Sequence, residues 1–174
     1  MGQDIHIEVT KYNKKTNLYE PIKLYRKIKP NETPYETDEN GFREVYIDVG
    51  RDYETWNEMK DGGENDGYGI FPWESISYLS LDPVLAEDLS TLEATQGYFD
   101  FYEINFSDFK LYLNEHPSVV DYDYDNLDYN GPKPQKENPI KYIFEAIRSY
   151  ISVADGEYKW TPDSHYKIIF YFDW

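Results

Sequence analysis

The chain has 174 residues, with 34 Asp and Glu against 17 Lys and Arg, so its formal net charge is −17. Hydrophobic residues make up 40% and aromatic residues 18%, a composition that excludes global disorder and predicts one packed domain over residues 1–174. The absence of cysteine excludes disulfides, thiolate metal sites and cysteine nucleophiles, and the longest apolar run, Ile168 to Phe172, is too short to span a membrane.

The first part of the chain predicts strands joined by turns. Apolar residues at every second position predict a half-buried strand over Asp4–Thr10. After a turn, Leu18–Arg26 is predicted to return as the partner strand of a hairpin, with Pro21 favouring a position at the sheet edge. A further strand is predicted over Phe42–Val49, after a polar loop.

The middle of the chain predicts three short helices and one strand. The helices are predicted over Asp52–Lys60, over Pro83–Leu89 with proline in the first turn, and over Asp108–Asn114 with Ser107 as the N-cap. Phe99–Phe106 is predicted as the strand that precedes the third helix.

The end of the chain predicts a helix followed by a strand. Asn138 can cap a helix whose apolar residues recur at helical spacing from Ile140 to Ile151. The last segment, Tyr166–Trp174, is apolar on both faces, which is typical of a central strand. The predicted fold class is therefore α+β, with a mixed, mostly antiparallel sheet of five or more strands and three or four helices.

The charge is unevenly distributed along the chain. Residues 1–30 hold seven basic and three acidic side chains, residues 31–130 hold four basic and 25 acidic ones, and residues 131–174 hold six of each. The predicted domain thus consists of a basic N-terminal hairpin, an acidic middle and a helix–strand end. An acidic surface repels nucleic-acid backbones and attracts cations or basic proteins, although such charge can also serve solubility alone.

Two distinctive strings stand at the ends of the chain: Met-Gly-Gln-Asp-Ile-His at residues 1–6 and Lys-Ile-Ile-Phe-Tyr-Phe-Asp at residues 167–173. Together they resemble a family of tailed-phage proteins that begins with an MGCDIH-like string and ends with a VFWFDN-like strand. Two interior blocks, Arg51–Glu54 and Gly69–Ser90, are similar in position to further motifs of that family. The chain departs from the family's HSH-like triplet, where Tyr98 and Asp100 replace two histidines.

The resemblance implies a phage or prophage origin, expression in the host bacterial cytoplasm and an accessory role outside the virion. It implies no particular activity.

Four residues predict a divalent transition-metal site. Asp4 and His6 are two positions apart on a predicted strand, so their side chains leave the same face. Asp100 could replace a lost histidine ligand, and Asp173 could join the group if the last strand lies beside the first. The alternative is that Asp4 and His6 belong to the solvated face of an amphipathic strand.

Acidic and aromatic residues alternate in the segment that begins at Asp121. In an extended chain, alternate carboxylates recur about every 6–7 Å, close to the spacing of phosphates along one nucleic-acid strand, and tyrosine rings can anchor an interface. The residues predicted to bind a partner are Asp121, Tyr122, Asp123, Tyr124, Asp125, Asp128 and Tyr129. The alternative is a flexible acidic loop whose tyrosines partly cover the core.

Three hypotheses of function follow. The leading one is a phage accessory protein, without catalytic residues or a cofactor, that binds a basic host protein such as a nucleic-acid-handling defence component. It would act as a nucleic-acid mimic, without binding nucleic acid or membranes directly. The second is a metal-dependent hydrolase centred on Asp4 and His6, and the third is a virion or assembly component.

Overall fold

The structure, a computed structural model, describes residues 4–34, 37–50, 52–61, 69–77, 80–88, 99–120 and 135–173. The strands in these ranges are β1 (Asp4–Asn13), β2 (Leu18–Pro21), β3 (Tyr25–Lys27), β4 (Phe42–Glu44), β5 (Glu74–Ile76), β6 (Phe99–Asn105), β7 (Ser118–Val120), β8 (Gln135–Glu137) and β9 (Tyr166–Asp173). The α-helices are α1 (Tyr53–Asp61), α2 (Pro83–Asp88), α3 (Phe106–Glu115) and α4 (Ile140–Ala154). The predicted α+β class is confirmed.

Five strands form one antiparallel sheet in the order β2-β1-β9-β6-β5. β9 lies in the middle, where it pairs with β1 over residues 4–11 and with β6 over residues 99–105. Residues 168–172 are buried on both faces of the sheet, which confirms the prediction of a central strand. The strands β3 and β4, and likewise β7 and β8, form two separate antiparallel pairs.

One face of the sheet carries the larger hydrophobic core. Phe170 and Phe172 of β9 pack against Trp56 of α1, with ring centroids 5.7 and 5.5 Å from the indole. On the same core, Phe106 of α3 stacks on Phe144 of α4 with their ring centroids 4.9 Å apart. Aromatic pairs of this kind add to the stabilisation from burial, so these contacts fix α1, α3 and α4 on one side of the sheet.

The opposite face of the sheet carries a smaller core. Ile169 and Tyr171 of β9 pack there with Phe101 of β6 and with Leu85 of α2. Because successive residues of a strand point to opposite faces, β9 supplies both cores from one short segment.

Side-chain caps mark the starts of two predicted helices. One carboxylate oxygen of Asp52 accepts a hydrogen bond from the Thr55 amide at 3.2 Å, and the other accepts one from the Thr55 hydroxyl at 2.7 Å. Asn138 Oδ1 accepts a hydrogen bond from the Ile140 amide at 3.0 Å. Each cap satisfies a backbone donor that the helix leaves unpaired. Among the described helices, none has the length and apolar character needed to cross a bilayer.

Two predicted strands are shorter than the sequence indicates. The hairpin strand predicted over Leu18–Arg26 ends at Pro21, and the residues from Tyr25 onwards pair with β4 instead. The strand predicted over Phe42–Val49 ends at Glu44. In both cases the apolar pattern continues beyond the last residue that finds a strand partner, because the extent of a strand depends on the strand beside it as well as on its own pattern.

The start of α3 also differs from the prediction. The helix begins at Phe106, and its N-cap is Asn105 rather than Ser107. The Asn105 carboxamide oxygen accepts a hydrogen bond from the Ser107 amide at 2.9 Å. Ser107, which the sequence predicts as the N-cap, is therefore the residue whose amide the N-cap binds. The three-residue strands β5, β7 and β8 were not predicted.

Candidate functional site

Many carboxylates of the acidic middle are held by bonds inside the fold. Glu32 accepts two hydrogen bonds from Arg26, at 2.9 and 2.7 Å, and one from the Lys29 amide. The bonds from Arg26 and from that amide lower the pKa of Glu32 to about 2. The acidic residues of this segment with such internal partners include Glu32, Asp38, Glu44, Asp48, Asp52, Asp82 and Glu103.

A second group of carboxylates in the acidic middle is exposed and has no partner among the described residues. Glu54 lies in the first turn of α1, Glu74 opens β5, and Asp108 and Glu115 lie at the two ends of α3. Glu74 is also directly opposite Glu103 across the β5–β6 pair, where like charges repel. The group consists of Glu39, Glu54, Glu74, Asp108 and Glu115.

The basic residues in the described part of the acidic middle are already engaged. Arg43 lies 3.8 Å from a Glu32 carboxylate oxygen, and Lys110 lies 3.3 Å from Asp163. The Lys60 ammonium lies over the Phe172 ring, 4.5 Å from its centroid. These cations are therefore not available to neutralise the exposed carboxylates.

The segment predicted to bind a partner lies outside the described residues. This applies to Asp121, Tyr122, Asp123, Tyr124, Asp125, Asp128 and Tyr129. Their role remains a prediction from the sequence.

The predicted metal-binding residues are at the end of the sheet where β1 starts and β9 finishes. The backbone register pairs Asp4 with Asp173 and, two residues along, His6 with Tyr171. The His6 ring stacks on the Tyr171 ring with centroids 4.6 Å apart. The juxtaposition of the first and last strands that the hypothesis required is therefore present. Among the described residues, no group of three or more His, Asp or Glu side chains is placed to hold a metal ion.

Asp100 does not join His6. It pairs with Phe172, and the Phe172 side chain lies in the larger core, whereas His6 stacks on Tyr171 of the opposite face. Directly paired residues share a face, so an offset of one residue places Asp100 on the other side of the sheet. The structure therefore does not bring Asp100 to the face of His6, and a metal site among Asp4, His6, Asp100 and Asp173 stays a prediction.

The structure contains a cleft that is not among the sites predicted from the sequence. Its volume is about 960 Å³, and it lies between the β1–β2 hairpin and the segment that follows α4. The hairpin contributes Lys11, Tyr12 and Lys14, and the segment after α4 contributes Asp155 and Trp160. The Trp160 side chain is 79% exposed, the highest fraction among the large hydrophobic residues that the structure describes.

A network of hydrogen bonds and ion pairs joins the two walls of the cleft. The Lys11 ammonium lies 2.9 Å from Asp155 and 3.1 Å from Glu157, and the Tyr166 hydroxyl donates to Asp155 at 2.7 Å. Burial alone would raise the pKa of Asp155, but the Tyr166 hydroxyl, the Glu157 amide and Lys11 together hold it below its ordinary value. Burial and the bond to Asp155 raise the pKa of the Tyr166 hydroxyl.

One sequence signal for this cleft was present. Trp160 stands in a polar, turn-rich stretch, Glu157 to Pro162, outside any helical or strand period, so no core position accounts for it. The opposite wall is separated from Trp160 by more than half the chain. Only the pairing of β1 with β9 brings the two together.

Comparisons of the chain with protein-family models, with curated proteins and with solved structures found no match.

Proposed function

We propose that this chain is a phage-encoded accessory protein that acts in the bacterial cytoplasm by binding a basic surface of a host protein. The observation that supports it is the charge imbalance of residues 31–130. Five exposed carboxylates there have no partner among the described residues, while the described basic residues of the same segment are engaged internally. A cationic partner would supply the neutralisation that the chain itself does not provide.

The chemistry of the partner follows from the chemistry of the surface. Carboxylates pair best with Arg and Lys clusters, which are typical of proteins that hold a phosphate backbone. The alternating Asp and Tyr residues from position 121 would extend the surface with charges at nearly phosphate spacing. The proposed mode of action is therefore occupation of a nucleic-acid groove of a host defence protein.

The test uses two variants with the same change in net charge. The first replaces three exposed, partner-free residues: Glu39→Gln, Glu74→Gln and Glu115→Gln. The control replaces three residues that have internal partners in Lys141, Arg148 and Lys11: Glu137→Gln, Glu145→Gln and Glu157→Gln. Each protein is immobilised, host lysate is applied at low and high salt, and retained proteins are identified by mass spectrometry.

We expect the natural chain and the control to retain the same basic, nucleic-acid-handling protein. The first variant should lose it, because the carboxylates that contact the partner are gone. Retention should weaken as salt rises, and added double-stranded DNA should displace the partner. Failure to retain any protein at low salt, or equal retention by the two triple variants, would contradict the proposal.

A second function, a metal-dependent hydrolase at the sheet end, has one observation in its favour. The backbone register pairs Asp4 with Asp173, and His6 lies two residues further along the same strand. The test is elemental analysis of the purified protein before and after incubation with Mn²⁺ or Zn²⁺, with His6→Ala compared with His165→Ala as the control. Loss of bound metal in His6→Ala alone supports the site, and a protein that takes up neither metal refutes it.

A further inference from the structure

The charged side chains that line the 960 Å³ cleft balance one another. Three lysines and three carboxylates line it: Lys11, Lys14, Lys23, Glu20, Asp155 and Glu157. Lys11 bridges Asp155 and Glu157, and Lys23 is held by two carboxylates outside the lining, those of Glu8 and Glu44. The described lining therefore favours neither an anion nor a cation. A neutral ligand enters such a cleft without burying an uncompensated charge.

The lining keeps both donors and acceptors of hydrogen bonds. Each carboxylate oxygen of Glu20 accepts one bond from a neutral neighbour, and Glu157 is exposed and bonds Lys11 through one oxygen. Carboxylate oxygens with one bond can accept another. The ammonium of Lys14, which is exposed and has no partner among the described residues, supplies donors. A hydroxyl group both donates and accepts, so a ligand rich in hydroxyl groups matches this mixed lining.

The indole of Trp160 adds a flat apolar surface to the same cleft. It is 79% exposed and stacks on no other aromatic ring of the described residues. A sugar ring has hydroxyl groups around its edge and carbon-bound hydrogens on its faces. Contact between such a face and an indole removes apolar surface of both from water, while the edge remains available for hydrogen bonds.

Internal bonds join the two walls of the cleft without a ligand. Lys11 of β1 lies 2.9 Å from Asp155, which follows α4, and the Tyr166 hydroxyl donates to the same carboxylate at 2.7 Å. Trp160 ends a short 3-10 turn, after which the Thr161 hydroxyl donates to the Glu157 carbonyl at 2.8 Å. A cleft fixed in this way needs little ordering when a ligand binds.

We propose that this cleft binds a neutral saccharide. The apolar face of one sugar ring lies against Trp160, and its hydroxyl groups bond to Glu20, Glu157 and Lys14. The volume of the cleft lies within the range of small-molecule sites. The proposal does not depend on the acidic surface or on its partner.

The test measures binding of neutral oligosaccharides to the full chain by calorimetry and by tryptophan fluorescence. The probes are maltotriose, cellotriose, triacetylchitotriose, mannotriose and lactose, together with an oligosaccharide of galacturonic acid as a charged comparison. The variants are Trp160→Ala and Lys14→Gln. Their matched controls are Tyr142→Ala, an aromatic residue that is 75% exposed on α4, and Lys27→Gln, an exposed lysine that does not line the cleft. Circular dichroism verifies that each variant is folded.

We expect at least one neutral oligosaccharide to bind, and Trp160→Ala to weaken its binding about tenfold while Tyr142→Ala leaves it unchanged. Lys14→Gln keeps hydrogen-bond donors at this position, so affinity should change by about twofold or less, as in Lys27→Gln. Added salt should have little effect, because the ligand carries no charge.

Three results would each overturn the proposal. The first is absence of binding of every neutral probe up to about 10 mM. The second is equal affinity of Trp160→Ala and the natural chain. The third is tighter binding of the galacturonic acid oligosaccharide than of any neutral probe, with an affinity that falls as salt rises, since this would show that charge rather than hydroxyl groups is recognised.

Discussion

Gly69 combines a backbone conformation and a close contact that no residue with a side chain could keep. Its φ angle is +70°, in the left-handed region, and a Cβ placed on it would lie 2.5 Å from His116 Nε2. We expect Gly69→Ala to lower the free energy of unfolding by about 1–3 kcal/mol, because it adds backbone strain and displaces the imidazole. Urea denaturation measures the change.

The control for this substitution is Gly156→Ala. The φ angle of Gly156 is not positive, and a Cβ there would meet no atom within 4 Å. This variant should be neutral or slightly more stable than the natural chain. The double variant with His116→Ala and Gly69→Ala should recover part of the lost free energy of unfolding. Removing the imidazole relieves the clash with the new Cβ but leaves the backbone strain at position 69. A Gly69→Ala protein as stable as the Gly156→Ala protein would contradict the structure.

At the scale of elements, Tyr150 attaches α4 to the chain that leaves β2. Its hydroxyl donates to the Ile22 carbonyl at 2.8 Å, and burial, with the charges of Glu8 and Glu44, raises its pKa to about 12. Tyr150→Phe should lower the free energy of unfolding by about 0.5–1.5 kcal/mol through loss of this bond. Tyr142→Phe, on the exposed side of the same helix, should have no effect.

The raised pKa of Tyr150 also predicts a pH dependence. In the unfolded chain a tyrosine loses its proton near pH 10, whereas the folded protein keeps this proton until about pH 12. The stabilisation is therefore complete below pH 10 and is lost as pH rises from about 10 to 12. The free energy of unfolding should fall less steeply in this range for Tyr150→Phe than for Tyr142→Phe. Identical slopes would show that the phenol is not buried as described.

The sequence predicted a helix or strand best where one strong hydrophobic pattern covers the whole of it. α4 and β9 follow from the stripe between Ile140 and Ile151 and from the continuous apolar run of the last strand. The extent of the strand after Leu18 did not follow, because the chain changes its partner from β1 to β4 after Pro21. The short strand β5 did not follow, because it depends on β6, which lies beyond α2 in the chain.

The candidate sites show the same dependence on long-range pairing. The neighbourhood of Asp4 and Asp173 could be anticipated from the two end strings, but the face occupied by Asp100 could not. It depends on the register of β6 against β9, and a difference of one residue reverses the face. The cleft beside Trp160 requires a hairpin and a helix end that only the folded sheet brings together.

At the scale of the whole molecule, free charges of opposite sign are separated. Exposed lysines without described partners lie in the first 30 residues and after α4, whereas the partner-free exposed carboxylates lie between residues 39 and 115. The members of the first group are Lys14, Lys15, Lys27, Lys29 and Lys159. The partner-free charges of the described residues are therefore sorted by sign along the sequence.

The carboxylate surplus should also have a cost in stability, because like charges repel in the folded state and separate on unfolding. Salt screens this repulsion, so the melting temperature of the natural chain should rise when salt is added at neutral pH. The triple variant Glu39→Gln, Glu74→Gln and Glu115→Gln should melt about 2–4 °C higher at low salt and respond less to salt. Part of the gain comes from Glu74, which faces Glu103 across the sheet.

The triple variant Glu137→Gln, Glu145→Gln and Glu157→Gln is the control, because it removes three charges that have basic partners. It should melt at the same temperature as the natural chain or slightly lower, since exposed ion pairs contribute little. Scanning calorimetry of the three proteins at two salt concentrations separates total charge from its placement. If both triple variants gained equally, net charge alone would set the stability. The partner-free carboxylates would then lower the stability no more than the paired ones do. The proposal that these carboxylates are kept for binding would lose this thermodynamic support.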